Sequence, residues 1–221
     1  MSDPGARLPY AEATRSLLRE TIMRATHDLV SSRPWREVTM AQVASASGVS
    51  RQTVYNELGS RRELAVAYAA WSGDELLDEV ERCVAAHRDD LEQALVAAFT
   101  AFLDLGSGHP LIRALGSSTE GDEIAAVLAT AQGQPVIEGA TARLAGIITT
   151  TWPELPTELV PVASEALVRL AISHLLQPTS TPEAAAGALG VLLRPFLADL
   201  RAQALGFNGI FDRVGQAVGR G

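Results

Sequence analysis

The stretch Thr39-Met-Ala-Gln-Val-Ala-Ser-Ala-Ser-Gly-Val-Ser-Arg-Gln-Thr-Val-Tyr-Asn-Glu-Leu-Gly-Ser-Arg-Arg-Glu-Leu64 decides how this chain folds. Thr39 with Gln42 has the pattern of a capping box, in which hydroxyl and amide each satisfy an orphan backbone donor. Met40 to Ala46 is then a short helix, ended by Ser47-Gly48-Val49. Ser50, with Thr53 three residues on, caps a second short helix that runs to about Glu57 and stops at Gly59. Ser60 with Glu63 forms another capping pattern and opens a long helix from Arg61 towards Ala86. Short helix, glycine turn, short helix and long helix together spell a helix-turn-helix.

The side chains suit reading of the DNA major groove. Gly48 permits the tight turn between steeply crossing helices, and Ala44 permits their close approach. Val43, Val49 and Val54 supply a small core that locks the second helix to the first. That second helix turns Arg51, Gln52, Thr53, Tyr55 and Asn56 outward. Arginine and glutamine make bidentate contacts with guanine and adenine edges, and hydroxyls suit phosphates.

Working outward, Leu18, Ile22, Ala25 and Leu29 recur at helical spacing before Ser31-Ser32-Arg33-Pro34, where Pro34 forbids continuation. Trp35 follows as a core plug. Beyond residue 87 the pattern predicts helices over Leu91–Leu105, Leu111–Leu115, Glu123–Ala131, Gln134–Thr151, Glu158–Leu176 and from Pro182 or Glu183 to Ala204. No hairpin-turn strand pairs and no repeats occur, so the fold class is all-α. The domain reading is a DNA-binding head over 10–60, a helical ligand-binding and dimerisation body over 61–204, and a tail over 205–221 whose Ile210, Phe211, Val214 and Val218 share a helical face.

Charge is segregated along the chain. The net charge of −8 is unfavourable for a partner of phosphates. Residues 1–65 hold nine arginines and seven acids, +2, whereas residues 66–221 hold nine arginines and nineteen acids, −10. A weakly basic head on an acidic body allows DNA contact through the head alone. All the basic residues are arginine, which GC-rich codon usage explains without any function. One cysteine, Cys83, excludes an intramolecular disulfide and a multi-cysteine zinc site. No run nears the roughly 18 uninterrupted apolar residues of a membrane-spanning helix, and Met1–Tyr10 lacks a secretory pattern, so a cytoplasmic protein without membrane partners is the expectation.

The decisive stretch resembles the TetR family of one-component, ligand-responsive regulators. The resemblance rests on Thr39, Ala44, Gly48-Val49-Ser50, Thr53-Val54-Tyr55 and Ser60-Arg61-Arg62-Glu63-Leu64, and covers about residues 14–65. It implies a homodimeric regulator, a repressor, that reads a palindromic operator and responds to a small apolar or amphipathic effector. It also implies that Thr39, Arg51, Gln52, Thr53, Tyr55, Asn56 and Arg61 meet DNA, with Arg51, Gln52 and Thr53 on base or phosphate positions. Tyr55 would meet a phosphate, and Arg61 would replace a backbone-contacting lysine. Two residues depart from the family pattern: Leu58 replaces an aromatic, and Glu57 puts an acid where phosphate would repel it. Glu57 can instead cap, pair with Arg61 or Arg62, or accept from a cytosine amine. The wording Arg51-Gln-Thr-Val-Tyr-Asn-Glu57 resembles regulators of lipid or hydrocarbon genes in GC-rich bacteria.

In the body, the resemblance implies an effector pocket whose candidate lining is Trp71, Phe99, Phe102, His109, Ile137, Leu144, Ile148 and Trp152. The dimer interface falls on the last two long helices, through Leu167, Leu170, His174, Leu189, Leu192 and Phe196. Gly187 and Gly190 are placed to allow close helix contact there, and Pro195 to kink the second helix. The alternatives are an accessory regulator acting by protein–protein contact and an enzyme of unknown type. For the latter, His27, His87, His109 and His174 lack metal-ligand spacing, and no nucleophile elbow, Walker loop or dinucleotide fingerprint occurs, so no metal, cofactor or catalytic residue is expected.

Overall fold

Pro34 and two left-handed glycines cut the N-terminal third of the chain into helices of very unequal length. The computed structural model describes residues 10–117 and 123–204; the tail face of Ile210, Phe211, Val214 and Val218 lies outside the described residues. Among the described residues ten α-helices follow in order: α1 (Tyr10–Ser32), α2 (Met40–Ser47), α3 (Arg51–Leu58), α4 (Arg61–Ala86), α5 (Leu91–Ser107), α6 (Pro110–Gly116), α7 (Glu123–Ala129), α8 (Gln134–Thr151), α9 (Leu159–Leu176) and α10 (Pro182–Ala204). Short 3-10 turns occupy Trp35–Glu37 and Ala131–Gly133, and no strand occurs among the described residues. The all-α expectation holds.

The chain divides into two compact units. In the described residues, one takes 10–72 with 110–117 and 123–136, and the other takes 73–109 with 137–204. Helix α4 therefore contributes to both.

The first unit is built around Ile22, Met23 and Val30 of α1, Trp35 and Val38 of the connector, Met40, Val43 and Ala44 of α2, Val54 and Leu58 of α3, and Leu64 and Tyr68 of α4. Each aliphatic of this size is worth ~1.5–3 kcal/mol when fully withdrawn from water. The same core contains Leu111, Ala114 and Leu115 of α6, Ile124 and Val127 of α7, and Val136. The unit thus reaches well beyond a head ending at residue 60. Trp35 is 1% exposed and its ring stacks on that of Tyr68 with centroids 6.3 Å apart, as expected of a core plug.

The second unit centres on Leu77, Val80 and Val84 of α4, Ala94 and Ala98 of α5, Ile147, Ile148 and Trp152 of α8, and Val160 of α9. Helix α10 lies against α5 closely enough that a Cβ at Gly190 would stand 2.8 Å from Val96 Cγ2, and Gly106 of α5 approaches Leu175 of α9 in the same manner. Gly190 therefore serves a contact inside the chain, whereas Gly187 faces open space. Pro195 lies inside α10. Arg143 of α8 fastens to α4: Nη1 donates to the Asp74 carbonyl (2.5 Å) and carboxylate (3.2 Å), and Nη2 to Asp78. Helix α9 is long and apolar enough, at mean hydropathy 1.5, to meet the length and composition of a membrane span. It carries a Glu165–Arg169 ion pair, however, and buries Val160, Ser164, Val168, Ala171 and Leu175 as one stripe, the pattern of a core helix.

Candidate nucleic-acid interface

Local hydrogen bonds fix α2 and α3 before any tertiary contact is counted. Thr39 accepts from the Gln42 amide while the Gln42 side chain accepts from the Thr39 amide, a complete capping box. Gly48 at φ 70°, ψ 20° closes α2, with its N–H on the carbonyls of Ala44 and Ser45, and Val49 N also donates to Ala44 O. Ser50 caps α3 by accepting from Thr53 N at 3.0 Å.

The stop after α3 differs from a simple left-handed cap. Gly59 sits at φ 72°, ψ −77°, and Ser60 N donates across it to Leu58 O at 2.9 Å, a γ-turn with positive φ. Because the Ser60 amide is engaged there, the expected Ser60–Glu63 box is only half formed: Glu63 N donates to Ser60 Oγ. The Glu63 carboxylate instead folds over Gly59, 2.2 Å from where a Cβ would stand.

Within α3, Val54 and Leu58 face the core, and Arg51, Gln52, Tyr55 and Asn56 are exposed, with Thr53 half-buried beside its cap. Tyr55 is 47% exposed, a high value for an aromatic without an outside partner. Gln52 Nε2 donates to Asn56 Oδ1 at 2.8 Å, so two exposed amides are tied one turn apart in one row. Arg51 is exposed and without an ion pair among the described residues. Five of the seven residues expected to meet DNA thus share α3, and Thr39 lies exposed at the start of α2.

Arg61 lies apart from that row. Its Nε donates to Val38 O at 2.9 Å, Nη2 to Trp35 O at 2.5 Å and Nη1 to Glu123 Oε2 at 2.5 Å. The guanidinium also lies 5.2 Å over the Trp35 ring. Two backbone carbonyls of the connector, Val38 O and Trp35 O (which also accepts from Val38 N), together with a carboxylate from α7, attract the cation inward. Glu57 also has a different partner from either expected arginine: Arg15 Nε donates to its Oε2 at 2.9 Å. Sequence offers no signal for that pair, whose members stand 42 residues apart.

The expected effector-lining residues are distributed over both units. Phe102 and Leu144 pack on the core containing Ile148 and Trp152, and Trp152 Nε1 donates to Arg88 O. Phe99 is buried against His174, edge to face at 5.9 Å. His109 is 8% exposed with Nε2 3.9 Å from Glu75, and Ile137 is half-buried. Trp71 belongs to the first unit, where its Nε1 donates to Glu20 at 2.8 Å. Two hydroxyls of the second unit that sequence did not single out, Ser164 Oγ and Thr141 Oγ1, are buried without a hydrogen bond among the described residues.

Of the expected dimer residues, Leu192 and Phe196 are 63% and 48% exposed, and Val191 beside them is 64% exposed. Leu167 and Leu170 are half-buried on α9, and His174 is half-buried against Phe99. Leu189 is 4% exposed within its own chain, because α10 turns it inward.

Comparison with known proteins agrees with this geometry. The family described as "Bacterial regulatory proteins, tetR family" matches residues 22–68, and "Bacterial Tetracyclin repressor, C-terminal domain" matches residues 90–195. The chain is 36% identical, over 87% of its length and 91% of the relative's, to the HTH-type transcriptional regulator AlkX of Mycobacterium tuberculosis. Among solved structures it resembles the TetR family repressor AlkX from a Dietzia species, implicated in biodegradation of n-alkanes. That likeness has a TM-score of 0.73 and 32% identity, and covers 81% of this chain and 97% of that one. A regulator from Mesorhizobium loti shares the fold at TM-score 0.55 and 15% identity, over 83% of this chain and 96% of that one.

Proposed function

Because the chain belongs to the TetR family of DNA-binding transcriptional regulators, we propose that it is a homodimeric repressor whose α3 reads one half of a palindromic operator. In this reading Arg51, Gln52 and Asn56 meet base edges, and Thr53 and Tyr55 meet phosphates. One observation carries it: an exposed row of Arg, Gln, Tyr and Asn on a short helix capped at its start by Ser50 and closed by Gly59. A helix so fixed presents its donors without a large ordering cost on binding. The dimer is required because one head reads only half a site, and the exposed Val191, Leu192 and Phe196 of α10 are its proposed centre.

The effector of this reading is an aliphatic, apolar or amphipathic molecule bound in the second unit. In support, the core of that unit is built of Leu, Ile, Val and Trp side chains with Phe102 packed against it, and a relative at 32% identity is implicated in n-alkane biodegradation. The buried hydroxyls of Ser164 and Thr141 are the groups that a polar end would satisfy.

Selection of sites from random duplex DNA tests the reading. Enrichment of a palindrome with half-sites about one helical turn apart (~34–36 Å) is expected. Background binding with no enriched sequence would overturn it. With the operator in hand, n-alkanes, alkanols and fatty acids of graded length are then tested for release of the protein from DNA.

A further inference from the structure

We propose that Arg15 is a phosphate contact lying outside the helix-turn-helix and that Glu57 is the residue that aims it; the proposal rests on the reading of α3 as the groove helix. The argument begins with an acid in an unfavourable place. Glu57 follows Asn56 directly on the reading helix, where a bare carboxylate would repel the DNA backbone. Its side chain is only 15% exposed and turns away from the reading row to accept Arg15 Nε at 2.9 Å. Arg15, by contrast, is 65% exposed.

That bond leaves most of the guanidinium unused. Arginine has five N–H donors in a rigid plane, so holding Nε sets the direction of the two Nη groups. Arg15 makes no other hydrogen bond or ion pair among the described residues. The major groove is about 12 Å wide, and a helix with its side chains is about 10–12 Å across, so a helix seated there fills it. A guanidinium fixed to the flank of α3 then stands at the groove wall, which is a row of phosphates. Two Nη groups side by side match two phosphate oxygens.

The test is equilibrium binding of the full chain to its selected operator duplex over a salt series. It compares wild type with Arg15→Ala, Glu57→Gln and the double variant. Arg15→Ala is expected to lower the slope of log K against log salt by about 1 and to weaken all sequences alike. Glu57→Gln is expected to weaken binding although it removes a negative charge, and the double variant to keep the lowered slope of Arg15→Ala. Tighter binding by Glu57→Gln, an unchanged slope in Arg15→Ala, or recovery of wild-type binding in the double variant would each overturn the proposal, the last by reducing Arg15 to a neutraliser of Glu57. Arg51→Ala is the control: if it weakens specific binding while Arg15→Ala does nothing, only this inference fails, and if it too does nothing, the groove-helix reading fails with it.

Discussion

The Arg61 guanidinium lies 5.2 Å over the Trp35 ring and at the same time donates to the Trp35 carbonyl. One side chain thus grips both the ring and the backbone of the residue that plugs the first core. Glu123 completes the arrangement from α7, and Val38 O takes the remaining edge.

Arg61→Ala removes a charged donor from two carbonyls and a carboxylate that are partly shielded from water. The expected cost is about 1.5–3 kcal/mol, in the range of hydrogen bonds to charged groups. Thermal unfolding should show a clear fall in Tm, at roughly 2–4 °C per kcal/mol for a chain of this size. The salt slope of DNA binding should stay at the wild-type value. A lowered slope with an unchanged Tm would return Arg61 to the phosphate-contacting row.

Gly59→Ala is expected to destabilise by about 1–3 kcal/mol, the cost of holding a side chain in a rarely populated backbone region. Space is a second problem, because the new methyl would meet the Glu63 carboxylate. A Gly59→Ala, Glu63→Ala double variant removes the clash and leaves the φ of 72°. It should therefore recover little, and full recovery in a melt would show that sterics alone demand the glycine.

Arg51→Ala should cost about 1–3 kcal/mol of specific affinity and relax preference at one position of each half-site. Tyr55→Phe should weaken selected and unselected duplexes to the same degree. Binding curves on both duplexes separate the roles, and a sequence-selective loss in Tyr55→Phe would assign the hydroxyl to a base.

Helix α10 makes two opposite predictions from neighbouring leucines. Leu192→Glu changes an exposed position and should raise the dimer dissociation constant in sedimentation while leaving each chain folded. Leu189→Ala changes a buried one and should lower the melting temperature through a loss of about 2–5 kcal/mol. If Leu192→Glu remains dimeric at micromolar concentration, the interface lies elsewhere.

Ser164→Ala deletes a buried hydroxyl without a partner among the described residues. Without effector the fold should be as stable as wild type or more so. An alkanol or fatty acid should bind several-fold more weakly, about 1 kcal/mol for the lost hydrogen bond. Unchanged effector affinity in titration calorimetry would place the polar end elsewhere.

What sequence conveyed well was local. The Thr39 box, the Ser50 cap and the positive φ of Gly48 and Gly59 depend on neighbours within four residues, and each was legible from residue type and spacing. What it conveyed poorly was the destination of long polar side chains. Arg61 had the right position for a phosphate contact, yet the carbonyls at Trp35 and Val38 compete for it, and nothing in the spacing reveals that residues 23 and 26 positions earlier come within its reach. Glu57 and Arg15 meet only because folding brings the start of α1 within reach of the end of α3. Leu189 and Leu192 share a helix and a residue type, and only the close approach of α10 to α5 at Gly190 separates buried from exposed.

The hydrophobic core that joins α1–α4 to Leu111, Leu115, Ile124 and Val127 has a consequence for how the protein is made. Synthesis delivers the reading helix early, but its supporting core is incomplete until more than fifty further residues have left the ribosome, since domains fold as units. A fragment cut at residue 72 would carry every residue of the proposed reading row and yet expose apolar surface that α6 and α7 normally cover. Such a head should be sticky and poorly ordered, and a transplantable reader would need the later segment spliced back in.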